Sequence, residues 1–274
     1  MMQQLAHDFR DESEALFALL ALLARQDIAV LDRPTLFKGW TPCDAISHLH
    51  AWNITADMAL SAPAEFLLHR ERVIAHVASG GRLLEFDLKL LGGLRGRELL
   101  ETWRAFYTAM SERFAVVEPK LRLQWVGPEM SARSSITARL METWAHAQAV
   151  YDMLGAARTD TDRIRNVAQI GVNTFGWSFI NRGLPVPAAA PHVRLEAPSG
   201  AVWEWNSPES TDRISGLASE FCQVVTQVRN VADTQLEVSG DTARHWMSIA
   251  QCFAGGPEDP PAPDTRRTAQ TRQA

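Results

Sequence analysis

Apolar positions recur with a helical period through the first half of the chain. Leu5, Phe9, Leu16, Leu19, Leu20 and Leu23 line one face of a first segment, and Ile46, Leu49, Asn53, Ala56 and Leu60 mark a second. The same period predicts helices from about Ala64 to Val77, Arg97 to Val117 and Ala132 to Leu154. Stretches rich in Gly, Pro and Ser separate them, among them "LDRPTLFKGWTP", "SGG", "LGGLRG" and "VGPEMS". Long helices with short connections predict an antiparallel helical bundle over residues 1–157.

The pattern changes after Gly155. A helix from about Asp162 to Ile180 leads into the proline-rich "NRGLPVPAAAP". "HVRLEA" and "AVWEWN" flank "PSG", which predicts a β-hairpin. "LASEFCQVVTQV" reads as a helix, "TQLEVSG" as a strand, and "DTARHWMSIAQCF" as a helix with Asp241 as its N-cap. The fold class is therefore α+β, a helical bundle followed by a small α+β domain over 158–254. The tail 255–274 has almost no apolar content and is expected to be disordered.

Composition narrows the function classes. With a net charge of −5 over 274 residues there is no basic field for phosphates, so no nucleic-acid partner is expected. The longest apolar run, "ALFALLALLA" at 15–24, is too short to span a bilayer, and the start does not resemble a secretory signal. Cys43, Cys222 and Cys252 are odd in number and far apart, which argues against a disulfide framework. A cytoplasmic location is the expectation.

Candidate chemistry centres on "METWAHAQAVYD". Glu142 and His146 lie four apart and share a face with Ala138, Ala145, Ala149 and Met153, while Leu140 and Trp144 occupy the other side. A carboxylate inside a bundle must be compensated. Either His146 satisfies Glu142 directly, or both hold a cation. A third ligand is offered by "GWTPCDAISHLHAWN", where Thr41, Pro42 and Asp44 form a helix start resembling a capping box. His48 and His50 point about 200 degrees apart on the wheel, and periodicity does not choose between them.

The early "GWTPCDAISHL", followed by "MSARSSITARLMETWAHAQ", resembles the DinB and mycothiol-dependent maleylpyruvate isomerase superfamily. The likeness is strongest to its uncharacterised metal-binding subgroup with a wyosine-base-formation-type C-terminal region, and extends through "GLASEFCQVVTQVRN" and "WMSIAQCFAGGP". It implies a DinB-like four-helix bundle that binds one divalent metal through His48, Glu142 and His146. Two neutral nitrogens and a carboxylate leave an open position, as in catalytic zinc sites. Zinc is the first expectation; nickel and iron share the ligand set. The resemblance also implies a low-molecular-weight thiol cofactor, a small-molecule substrate, Arg229 as a catalytic residue from the second domain, and a homodimer.

Other residues have bland readings beside these. Arg139 could clamp a substrate carboxylate, but pairing with Glu142 is preferred; Arg133 is the other flanking cation. Trp40, Trp52 and Trp144 are read as core or pocket wall, Cys43 as a small buried residue, and His7, His69, His76, His192 and His245 as exposed and unclustered. The chain departs from the family at Asn166 and Gln169, where relatives tend to carry histidine, and near Asn53 and Ile54, where they tend to be acidic. The expected function is metal-dependent isomerisation or thiol transfer on a small carboxylated substrate. The alternative is a non-catalytic metal-binding or structural protein that has lost its substrate rim.

Overall fold

The computed structural model describes residues 2–266. Backbone packing divides the chain into two units at Val150/Tyr151, whereas the composition shift placed the division after 157. The first unit holds α1 (Met2–Gln26), α2 (Pro42–Ser61), α3 (Pro63–Ala78), α4 (Leu83–Leu90), α5 (Gly96–Ala115) and most of α6 (Ala132–Leu154). The long helices α1, α2, α5 and α6 make the expected bundle, with α1 and α2 both packing on α5. Its core is built from the periodic positions: Phe9, Leu16 and Leu20 of α1, Ile46 and Leu49 of α2, Trp103, Tyr107 and Phe114 of α5, and Leu140 and Trp144 of α6 are all buried.

The start of α2 is fixed locally. Thr41 Oγ1 accepts from Asp44 N–H at 3.1 Å and Asp44 Oδ2 accepts from Thr41 N–H at 3.0 Å, with Pro42 at the first helical position. His48 follows little more than a turn later, so its placement depends on this cap. Two elements fall outside the sequence reading. The helix α4, "LLEFDLKL", packs against α2. A two-residue ladder pairs β1 (Arg122–Leu123) with β2 (Met130–Ser131) just before α6.

In the second unit the helix expected over 162–180 is interrupted. A 3-10 turn at Asp162–Ile164 precedes α7 (Arg165–Asn173), and α8 (Phe175–Ile180) follows. Thr174 marks the break: its hydroxyl donates back to Ile170 O at 2.8 Å and Gly171 O at 3.0 Å. The hairpin forms as expected from β3 (His192–Glu196) and β4 (Val202–Trp205), turning at Gly200, whose φ is +82°. A strand the sequence reading passed over, β5 (Arg213–Leu217), runs parallel to β3, and α9 (Ala218–Val225) leaves from its end. The edge strand β6 (Glu237–Ser239) is antiparallel to β5, giving the order β4-β3-β5-β6, and α10 (Asp241–Ile249) follows. Val193, Leu195, Ile214, Phe221, Val225 and Trp246 form the buried core.

The cap of α10 is Gly240 rather than Asp241. Asp212 accepts from Ala243 N–H at 3.1 Å, so a residue from another loop caps the helix. A Cβ at Gly240, which has φ +88°, would stand 2.2 Å from that carboxylate.

Residues 255–266, expected to be disordered, are held against the second unit. Gln251 Nε2 donates to Gly256 O at 3.0 Å, Gln227 Nε2 to Glu258 O at 2.8 Å, and Asn230 Nδ2 to Pro261 O at 2.8 Å. Prolines remove donors from this strap but leave carbonyls, and side-chain amides of the packed unit satisfy them. The rest of the expected tail, 267–274, lies outside the described residues. Among the described residues no helix is long and apolar enough to cross a membrane.

Candidate metal centre

The three residues expected as metal ligands converge. One ligand atom from each of His48, Glu142 and His146 lies within 4.8 Å of the others. His48 comes from the second turn of α2, and Glu142 and His146 from one face of α6. Glu142 Oε2 is 3.5 Å from His146 Nε2 and 4.0 Å from His48 Nε2, so both imidazoles turn the same nitrogen toward the carboxylate.

The other nitrogen of His48 is committed. Its Nδ1 lies 2.7 Å from Asp87 Oδ2, a buried carboxylate on α4. That bond fixes the tautomer with the proton on Nδ1 and leaves the Nε2 lone pair directed at the cluster. Asp87 escaped the sequence reading because the short helix carrying it was not recognised. The available signal was an acid flanked by two apolar residues, Phe86 and Leu88, in the octet "LLEFDLKL".

Aromatic rings wall the cluster. Trp40 stacks on His146 with centroids 5.5 Å apart and planes at 2°, and Phe37 meets the same imidazole edge-on at 5.2 Å. Both come from the loop before α2, reversed by Lys38 and Gly39 at φ +50° and +70° and closed by Thr35 N–H donating to Trp40 O at 2.8 Å. Trp52 approaches His48 at 6.1 Å. Trp40 and Trp52 thus pack on the imidazoles of the cluster, while Trp144 is fully buried core.

Burial alone would raise the Glu142 carboxyl, but the His146 hydrogen bond and the charges of Arg139, His146 and His48 outweigh it and hold Glu142 at about 2. Burial pushes His146 below the usual imidazole value despite Glu142. At neutral pH the pair is a carboxylate beside a neutral imidazole, the protonation states in which both donate to a cation.

The remaining candidates have partners of their own. His50 is buried against Phe106 at 5.3 Å, away from the cluster. Cys43 is buried and accepts from Gly96 N–H, and burial raises its thiol. Arg133 is exposed, whereas Arg139 is buried with Nη2 4.0 Å from Glu142 Oε1. His69 and His192, expected to be exposed, are buried; His69 Nε2 lies 2.9 Å from Thr55 Oγ1. Asn166 donates to Arg163 O, and Gln169 accepts from Trp205 Nε1 at 2.9 Å. Arg229 is buried there too, its guanidinium donating to both oxygens of Asp152 at 2.7 and 2.5 Å. A concavity of about 570 Å³ between α1 and α5 is lined by Arg10, Glu14, Glu101 and Arg104 and does not include the triad.

Comparison with known proteins places this geometry in context. Residues 9–151 match the family model described as the mycothiol maleylpyruvate isomerase N-terminal domain. The uncharacterized protein Rv0036c of Mycobacterium tuberculosis strain H37Rv is 38% identical over 250 residues, covering 91% of this chain and 95% of its own. Its counterpart MT0041 from strain CDC 1551 / Oshkosh matches to the same extent. Among solved structures, the crystal structure of the mycothiol-dependent maleylpyruvate isomerase aligns with a TM-score of 0.49 at 14% identity, over 94% of this chain and 96% of that one. A histidine-to-alanine mutant of that enzyme gives the same figures.

Proposed function

Because the chain belongs to the family defined by the mycothiol maleylpyruvate isomerase N-terminal domain, we propose that His48, Glu142 and His146 hold one divalent metal ion, with zinc first and nickel or iron as alternatives. The observation that carries this reading is the convergence of three ligand atoms within 4.8 Å, one of them on an imidazole whose far nitrogen is anchored by Asp87. The donor set fits the ion: two neutral nitrogens, one ionised carboxylate and an outer carboxylate orienting a histidine.

When bound, such an ion supplies an open coordination position that acidifies a water or a low-molecular-weight thiol. The chain's own residues do the rest. Trp40 and Phe37 hold the His146 ring and restrict water around it. Arg139 keeps positive charge beside Glu142, which favours the ionised ligand. The proposed reaction is isomerisation or transfer on a small carboxylated molecule, with Arg229 as the second unit's catalytic candidate.

Metal content by elemental mass spectrometry, on wild type beside Glu142→Ala and His48→Ala, tests the centre. Near-stoichiometric metal lost in both variants supports it. A wild type that stays empty after reloading reduces Glu142 and His146 to a buried hydrogen-bonded pair.

A further inference from the structure

Beside the triad lies a buried cation whose hydrogen-bonding capacity is not used. Arg139 stands one turn before Glu142 on α6 and is only 5% exposed. Its Nη2 stops 4.0 Å short of Glu142, outside hydrogen-bond reach, and its Nη1 is sealed from solvent with no partner. The guanidinium lies over Trp125, 5.7 Å from the ring centroid. Trp52 packs 5.5 Å from the same ring and 6.1 Å from His48, and its indole Nε1 is likewise sealed and unpaired. The next residue, Asn53, is fully buried with neither amide atom bonded.

Each unmet buried donor costs folding free energy, and folded proteins carry few of them. Here two such donors share one aromatic wall at the edge of the candidate centre. Charge makes the same point: the carboxylates of Glu142 and Asp87 offset one divalent ion, which leaves Arg139 as an uncompensated positive charge in a dry setting.

We propose that Arg139 and Trp52, walled by Trp125, form an anion subsite beside the triad that receives a carboxylate of the ligand. The guanidinium supplies a charge-assisted N–H and the indole a second donor. A carboxylate suits the site better than a phosphate, because one fork and one indole offer a single compensating charge. Both donors lie against tryptophan rings, so an anion bound there alters tryptophan emission. The charge argument rests on the metal reading; the two unspent donors stand without it.

The test is titration of the full chain with succinate, followed by tryptophan fluorescence and calorimetry, with metal content measured on the same preparations. Saturable binding is expected, weakened about tenfold or more by Arg139→Lys, which keeps the charge and loses the fork, and several-fold by Trp52→Phe, which keeps a ring and loses the N–H. Should the arginine variant fail to fold, as judged by circular dichroism, Trp52→Phe carries the test alone. Absence of saturable binding, unchanged affinity in folded variants, or equal competition by inorganic phosphate overturns the subsite. Metal-replete protein that ignores succinate sinks the subsite and spares the metal centre. Arg139-dependent succinate binding by protein that never retains metal does the reverse.

Discussion

His48 Nδ1 and Asp87 Oδ2 stand 2.7 Å apart, joining α2 to a helix 39 positions further along the chain. The carboxylate sets the imidazole's tautomer and its direction, two properties a ligand must have before an ion arrives. Asp87→Asn keeps the shape and loses the charge. It should weaken metal binding by about 10–100-fold in a chelator competition assay while the far-ultraviolet circular dichroism stays the same. Affinity equal to wild type would make Asp87 a residue of α4 packing only.

A second histidine of α2 gives the fold a separate pH response. His50 is buried, and burial holds its pKa at about 4, against an ordinary value near 6.5. The folded state therefore binds this proton less tightly than the unfolded one. The stability involved is complete above about pH 6.5 and is lost as pH falls toward and through 4, up to about 3 kcal/mol in all. Glu142, held at about 2, contributes in a different window, below about pH 4.5. Urea midpoints at pH 7 and pH 4.5 should fall markedly for wild type and much less for His50→Leu. Equal pH slopes would show that another group carries the response.

How far the sequence speaks can be judged from these two histidines. Apolar periodicity placed both on one helix, and the Thr41–Asp44 cap set where that helix begins, but the wheel alone could not say which of them faces α6. The answer lies in tertiary partners, Asp87 and the Trp40 loop for His48 and Phe106 for His50. Asp87 was missed because an eight-residue helix between glycine-rich turns has too few repeats to show a period. The strand "RISGL" was missed for a related reason: it is five residues long, contains Gly216 and shows no alternation, so only its pairing with β3 and β6 defines it. The strap was misread because composition counts apolar content and not the amides waiting to bind its carbonyls.

Arg229 and Asp152 bear directly on the stability of the second unit. Both are buried, and the pair is bidentate. Arg266 lies within electrostatic reach, held below the usual arginine range by burial and by the charge of Arg229, with Asp152 opposing the shift. Neutralising Asp152 would remove the negative charge that offsets the two guanidinium groups. Asp152→Asn should therefore destabilise by about 3–5 kcal/mol in urea unfolding, the range for breaking a buried pair. Adding Arg229→Met should recover part of that loss, because it removes the stranded charge. A double variant as unstable as the sum of the singles would mean the two side chains act independently.

The strap gives a prediction that composition alone would reverse. If residues after Ala254 were solvated, ending the chain there would change nothing. Instead Gln227, Gln251 and Asn230 donate to strap carbonyls, and Glu258 N–H donates to Gln251 Oε1 at 2.9 Å. Gln251 is 1% exposed and Gln227 6%, so the amides left behind would sit partly dry until water replaced the lost bonds. A net contribution of about 0.5–1.5 kcal/mol per hydrogen bond, partly restored by water, sets the scale of the loss at roughly 1–3 kcal/mol. Truncation after Ala254 should lower the unfolding midpoint by that amount and speed amide hydrogen exchange around Gln227 and Asn230, leaving α1 to α5 as protected as in the full chain. Unchanged exchange at Gln227 would show that the strap lies on the unit without stabilising it.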